Sequence, residues 1–286
     1  MSKLFDTESG NNLPDDALPA YAPMLSAYHR SRATELRAIV DLLPLQSGDR
    51  VLDLASGDGF WSMLLAERAS EVVGVDLSPA YLQAARAHVA QSPHAARINF
   101  QLAEVGAVAF PDNTFDLVWC AQSLFSLPDP LAALREMTRV TRPGGYVAIL
   151  ENDSLHHLIM PWPAELELAV RQAQLKGLAA RQQARGVDKF YIGRDLAGLL
   201  GQAGLTLHDL RTIVVERQAP IDADERFFLS EHLAELRTVA GPFLDDTTRI
   251  VLTLLLDSGS ELNMLDQPNF HLTHLEMLAV GKKHRG

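Results

Sequence analysis

Val51-Leu52-Asp53-Leu54-Ala55-Ser56-Gly57-Asp58-Gly59 is the stretch that decides the fold. An apolar strand runs into an acid, then a tight glycine turn, then a helix that opens at Phe60. Gly57 and Gly59 lack Cβ atoms, so the chain can turn sharply and bring main-chain N–H groups close to a ligand at the mouth of a parallel sheet. Asp76 ends the next apolar run, Val72-Val73-Gly74-Val75. The two carboxylates therefore stand at the tips of adjacent strands, with room for a small molecule between them.

The same alternation continues on both sides. Apolar runs at 50–55, 71–76, 98–103, 115–121 and 144–151 read as strands, and helical spacing covers 60–69, 79–90 and 130–141. Asp112-Asn113 and Pro143-Gly144-Gly145 mark turns before the fourth and fifth strands. Strands alternating with helices imply βαβ units. Upstream, residues 1–19 are polar and proline-spaced, and Pro23 to Leu43 reads as one or two helices. Downstream, helices are expected at 164–185, 194–203, 223–239 and 246–257, with strands at 206–216 and 274–281. The fold class is thus α/β: a doubly wound, Rossmann-like, seven-stranded, mostly parallel sheet with a final antiparallel strand and helical cap insertions. Residues 1–43 form an N-terminal arm and lid helices. Residues 44–286 form the main domain, with insertions at about 152–192 and 217–270.

Composition excludes several classes. The chain has 286 residues, is 47% hydrophobic and carries a net charge of −11. That balance argues against nucleic acid or an anionic membrane as the main partner. No apolar run approaches the roughly 20 residues of a membrane span. The single cysteine, Cys120, allows neither an internal disulfide nor a cysteine-based metal site. With no apolar signal core at the N-terminus, the expected location is cytoplasmic. No metal is expected. The late histidines lack paired ligand spacing, and the His271/His274 pair would point to opposite faces of a strand.

Five segments occur in order: VLDLASGDG (51–59), VVGVDLSPAYL (72–82), AEVGAVAFPDNTFDLVWC (103–120), AQSLFSLPDPLAALREMTRVTRPGGYVAIL (121–150) and GRDLAGLLGQAGL (193–205). Together they resemble the class I S-adenosylmethionine-dependent methyltransferases, in particular the small-molecule group related to ubiquinone/menaquinone-biosynthesis enzymes. The resemblance implies S-adenosylmethionine as cofactor and S-adenosylhomocysteine as product. It places Asp53 near the methionine amino group, with Ala55, Ser56, Gly57 and Gly59 making the glycine turn around it. It places Asp76 on the two ribose hydroxyls, Leu77 on the adenine face, and Glu104 with the Val105 N–H on the adenine edge. Cys120 and Ala121 would flank the methionine moiety, and Gln122 and Phe125 would border the transferable methyl; Tyr28, on the helical arm, reads equally as a lid closing over the sulfonium or as a core tyrosine. The family usually has glycine where Ala55 stands; alanine fits there at little cost at negative φ.

An acid at the Asp76 position also serves NAD-binding folds, but a dinucleotide site wants a third glycine. Here Gly59 is followed by Phe60, Trp61 and Ser62. Methyl transfer from a sulfonium is an in-line displacement in which the cofactor carries the reactivity and the protein supplies alignment. A base is needed when the acceptor carries a proton that must leave. Glu151, Asp153, His156 and His157 follow the fifth strand; Tyr28, His29, Arg30 and Arg32 lie on the N-terminal helices. His157 is the chosen base, because an imidazole titrates near neutrality. Arg32 reads as a surface residue or as a partner of the cofactor carboxylate. Met160, Trp162, Phe190, Tyr191 and the 217–270 insertion would wall the site of a small, partly hydrophobic acceptor. Two other functions stay open: a cofactor- or partner-binding protein without catalysis, and an NAD(P) oxidoreductase.

Overall fold

Strand order reverses beside the glycine turn, and that reversal fixes where a ligand can lie. The structure, a computed structural model, describes residues 17–153, 157–181 and 188–285. β1 (Arg50–Leu54) pairs with β2 (Glu71–Asp76) on one side and β4 (Phe115–Ala121) on the other, all parallel. β3 (Ile98–Leu102) extends the sheet beyond β2, and β5 (Thr141–Glu151) extends it beyond β4. The chain leaves β1 toward β2 and returns through β4. A crevice therefore opens at the carboxyl ends of β1 and β4, where such sheets bind ligands.

β8 (His271–Lys283) runs antiparallel between β5 and β7 (Leu205–Gln218). Among the described residues the sheet has eight strands where the sequence predicts seven. The addition is β6 (Leu158–Ile159), two residues that pair with β8 just past the end of β5. So short a segment carries no periodicity of its own. The remaining strands lie where the apolar runs predict them, with ends moved by a few residues.

Helices α1 (Ala22–Ser31), α2 (Ala33–Asp41) and α3 (Phe60–Ala66) cover one sheet face, together with α6 (Ala164–Arg181), α8 (Ala223–Ala240) and α9 (Asp246–Leu256). α5 (Pro130–Val140) and α7 (Leu196–Gln202) cover the other, and α4 (Pro79–Val89) follows β2. Several starts follow simple chemistry. Ser78 and Asp129 each accept a backbone N–H three residues on, and a proline occupies the first helical position after each. Asp222 caps α8 and Asp245 caps α9 in the same way. Alternation along each strand sorts the core. Val51, Leu117, Trp119, Leu150 and Leu278 face the α3–α8 layer; Leu52, Val118, Cys120, Ile149 and Ala279 face α5 and α7.

Two expectations are corrected by this packing. Ala55 adopts φ +59°, in the left-handed region, not at negative φ. The turn imposes the same backbone demand that glycine meets in the family, and alanine meets it at a cost of about 1–2 kcal/mol. Arg32 is not on the surface: it is fully buried and pairs with Glu225 on α8 at 2.7 Å. His156 and most of the 1–19 arm lie outside the described residues.

Candidate active site

The glycine turn is held by hydrogen bonds that aim it at β2. The Ser56 N–H donates to the Val75 carbonyl at 2.9 Å, and the Gly57 N–H donates to Asp76 Oδ2 at 2.9 Å. Asp76 Oδ1 accepts the Ser78 N–H at 2.9 Å. Each oxygen still has a lone pair for an outside donor, as two ribose hydroxyls would require. Gly57 (φ +51°) faces open space. Gly59 (φ +78°) lies where a Cβ would come within 3.0 Å of the Phe100 ring, so both its angle and its packing demand glycine.

Asp53 is buried, and its Oδ2 accepts the Ser62 hydroxyl at 2.5 Å. Burial lifts its carboxyl to about 7; the Ser62 bond works against that, and nearby Asp76 and Asp58 add to it. Asp76 is raised too, chiefly by burial, against the pull of the Ser78 and Gly57 N–H groups. A cationic ammonium placed among these three acids would relieve their mutual repulsion. The residues present thus fit a ligand with one positive end and a diol.

Leu77 is 57% exposed at the strand tip, as a residue offering an apolar face must be. Glu104 is exposed in the loop after β3; the Ala103 N–H, bonded to the Asp76 carbonyl at 3.1 Å, keeps that loop against β2. Val105 is buried in the α5-side core. Cys120 is wholly buried and its side chain points to that same face, so only its backbone is placed for the crevice. The Ala121 side chain points to the opposite, α3–α8 face. Phe125 is half-buried against Leu178, Val239 and Tyr191.

Helix α1 lies over the turn. The His29 ring stacks on Phe60 with centroids 4.1 Å apart, and its Nδ1 sits 3.9 Å from Asp58. Burial lowers the His29 imidazole to about 4 despite that acid. From the preceding residue, the Tyr28 hydroxyl donates to Glu276 on β8 and accepts from Gln122 Nε2 at 2.7 Å. Gln122 also donates to Glu276 Oε1 at 3.1 Å, from a backbone held at φ +51°. Tyr28 and Gln122 are therefore brought together, but through Glu276, which the sequence reading did not single out. Burial lifts Glu276 to about 7, partly offset by the Tyr28 bond and the Arg32 charge.

His157 is buried beside this group. Its Nε2 lies 3.2 Å from His232 Nε2, and its Nδ1 3.3 Å from the Asp153 carbonyl. It also lines a cavity of about 330 Å³ with Asp153, Arg194, Thr212, Leu275 and Met277. Arg194 clamps Asp153 at 2.6 and 2.8 Å. Glu151, also named as a base, is occupied: it accepts the Leu124 and Phe125 N–H groups at 2.6 and 3.3 Å, and burial raises it to about 8. Met160 and Trp162 are buried in the α3–α8 core, and the Phe190 side chain lies outside the described residues. His271 is exposed and His274 buried, on opposite faces as the strand period requires.

Glu276, His274, His232 and Glu225 were missed for one reason. Each is polar in a segment whose pattern gives no hint of burial, and only the alternation along β8 could have placed Glu276 and His274 on one face.

Residues 52–149 match the family of methyltransferase domains. A ubiquinone/menaquinone biosynthesis C-methyltransferase of Geobacter sulfurreducens is 39% identical over 118 residues, 40% of this chain and 46% of that protein. The match thus spans about half the length of that curated relative. A Schizosaccharomyces pombe protein, described as an uncharacterized methyltransferase, is 33% identical over 201 residues, 64% of this chain and 72% of its own. Among solved structures, a Bacillus halodurans protein described as a putative methyltransferase superposes with a TM-score of 0.57 at 17% identity, covering 87% of this chain and 98% of that one. That likeness supports the fold alone. With a match that reaches well past the glycine turn and a relative of which nearly three quarters is covered, the chain belongs to the class I S-adenosylmethionine-dependent methyltransferases.

Proposed function

We propose that the protein transfers a methyl group from S-adenosylmethionine to a small, partly hydrophobic molecule, as a cytoplasmic enzyme. The observation that carries this reading is the bond from the Gly57 N–H to Asp76, which joins the turn and the diol-binding acid in one rigid unit. Asp53, Asp76 and the 55–59 turn would hold the amino-acid tail and ribose; Leu77, Glu104 and Val105 would hold the adenine. When bound, the cofactor supplies an electrophilic methyl on a positively charged sulfur. The chain's own work is alignment and exclusion of water, worth several kcal/mol in favourable cases. Helix α1, with His29 on Phe60 and Tyr28 in the core, would form the lid.

For the acceptor, the cavity beside His157 supports a small molecule with an apolar body: Leu275 and Met277 form its wall, and Asp153, Arg194 and Thr212 add polar groups. The biosynthetic role in the Geobacter relative's name agrees with such an acceptor. His157 remains the candidate base on that wall. The lone, buried Cys120 suits a reducing compartment.

Isothermal titration with S-adenosylhomocysteine and with NAD tests the cofactor. Micromolar binding of the first and none of the second is expected; the reverse would sink the proposal. Release of S-adenosylhomocysteine in the presence of quinols and related aromatics then separates an enzyme from a binding protein.

A further inference from the structure

One buried carboxylate has an oxygen without a partner. Glu276 is fully buried, and its Oε1 takes the Tyr28 hydroxyl and the Gln122 amide. Its Oε2 meets no donor, and neither ring nitrogen of His274, 3.2 Å away at the nearest, makes a hydrogen bond. A carboxylate buried this way is costly unless a positive charge or donor arrives. The nearest permanent charge is Arg32, but its guanidinium is bonded to Glu225 and lies over the Tyr28 and Phe228 rings at 4.7 and 4.5 Å.

Position supplies the missing partner. Asp53, Ala121, Leu150, Leu278 and Glu276 all point to one face of the sheet, on β1, β4, β5 and β8 in turn. Neighbouring strands lie about 4.8 Å apart, so β4 and β8 are about 10 Å apart. Gln122, the first residue past β4, bridges that gap with its side chain. Its left-handed φ is the kind of backbone strain that functional sites retain. A ligand whose ammonium end sits at Asp53 reaches toward Gln122 with the atoms that follow, and in the proposed cofactor those include the sulfonium.

We propose that Glu276 is the counter-charge of the methyl-transfer site: through Gln122 and Tyr28 it faces the cationic sulfur, favouring S-adenosylmethionine over S-adenosylhomocysteine. The inference rests on the proposed cofactor. Once the methyl has left, the sulfur is neutral and the attraction is gone, so the spent cofactor is held less tightly than the fresh one. The two ligands share the same amino-acid tail and ribose, so the hydrogen bonds of those parts to Asp53 and Asp76 cancel when they are compared.

The groups facing Glu276 are Tyr28 and Arg32 from α1 and the turn after it, Gln122 from β4, Glu151 from β5 and His274 from β8; His157 and His232 stand behind His274. His274 is driven well below its usual range by burial and stays neutral near pH 7. Between pH 6 and 8 Glu276 changes charge together with Glu151 and Asp53, so its own share is the part of the pH response that Glu276→Gln removes.

The test is calorimetry with both ligands across that range. In the wild-type protein the affinity ratio of S-adenosylmethionine to S-adenosylhomocysteine rises about tenfold from pH 6 to 8, the size expected for unit charges about 10 Å apart at an effective dielectric of about 20. In Glu276→Gln the ratio is lower and its rise is smaller, what remains coming from Asp53 and Glu151. In Tyr28→Phe the plateau is kept, but the rise moves to higher pH, since the carboxylate loses a donor. Carbon-13 NMR of glutamate-labelled protein gives a second reading: S-adenosylmethionine lowers the Glu276 midpoint and S-adenosylhomocysteine does not. A wild-type ratio flat with pH, or a Glu276→Gln ratio that climbs as steeply as the wild-type one, overturns the inference while leaving the cofactor assignment intact. Failure of both ligands to bind would instead remove the cofactor reading itself.

Discussion

The crevice over β1 and β2 and the chamber between α1, β8 and α8 are built by opposite means. In the crevice the backbone does the positioning. Left-handed angles at Ala55, Gly57 and Gly59 shape the turn, and main-chain N–H groups fix Asp76. In the chamber, side chains from distant parts of the chain meet in the dark: Tyr28 reaches Glu276, 248 positions away, and Arg32 reaches Glu225, 193 positions away. The first design restricts side chains where the backbone turns left-handed, at Ala55, Gly57 and Gly59, but draws its donors from peptide groups. The second is brittle, because each charge depends on a particular partner.

That contrast is most easily broken at Glu225. Removing it leaves Arg32 buried and uncompensated beside Arg217, which lies 3.4 Å from the same carboxylate. Glu225→Ala is expected to cost about 3–5 kcal/mol in urea denaturation. A loss under about 1 kcal/mol would mean the pair contributes little beyond solvation. In the crevice, Asp76→Ala should leave folding nearly untouched but weaken S-adenosylhomocysteine binding by about 1–3 kcal/mol in calorimetry. Unchanged affinity in the folded variant would contradict the ribose assignment.

The two regions also differ in how pH acts on them. Asp53, Glu276 and Glu151 have folded values near 7, 7 and 8, well above those of free carboxyls. A raised carboxyl stabilises the fold fully below its unfolded value near 4, and that contribution fades as pH rises through the folded value. His29 and His232 are lowered to about 4, so their contribution is present above about 6.5 and is lost as pH falls through the folded value. Three raised carboxyls outweigh two lowered histidines above about pH 4, so thermal melts of the ligand-free protein should decline from about pH 5 to 8. Asp53→Asn should flatten the alkaline limb; an unchanged limb would show that its carboxyl is not raised.

The smallest expected effect sharpens the account of the turn. Ala55→Gly removes about 1–2 kcal/mol of left-handed strain but gives back roughly 0.5–1 kcal/mol in chain entropy. A net gain below about 1 kcal/mol in melting experiments is expected, and a net loss would argue that the Ala55 methyl packs usefully.

The crevice was legible because its signals are local. Glycines, the Asp53 and Asp76 positions and the strand–helix alternation each announce themselves within a dozen residues. The exception, Ala55, shows the limit: the residue type suggested an ordinary angle, and the neighbouring turn imposed another. The chamber was illegible because its partners lie between 75 and 248 residues apart and obey no short-range rule. Arg32 looked like a surface arginine since nothing beside it hints at Glu225. His157 was chosen for its chemistry and its place after β5, yet its pairing with His232 depends on α8 packing, which periodicity alone does not align.

The contacts between α1 and α8 tie the two regions together. Arg30 holds Asp224 and Arg32 holds Glu225, while Arg217 grips the Ser31 carbonyl and Glu35. So riveted, α1 cannot be displaced from the turn without straining the Arg32–Glu225 pair, and a change made in the buried chamber is felt at the covering of the nucleoside site.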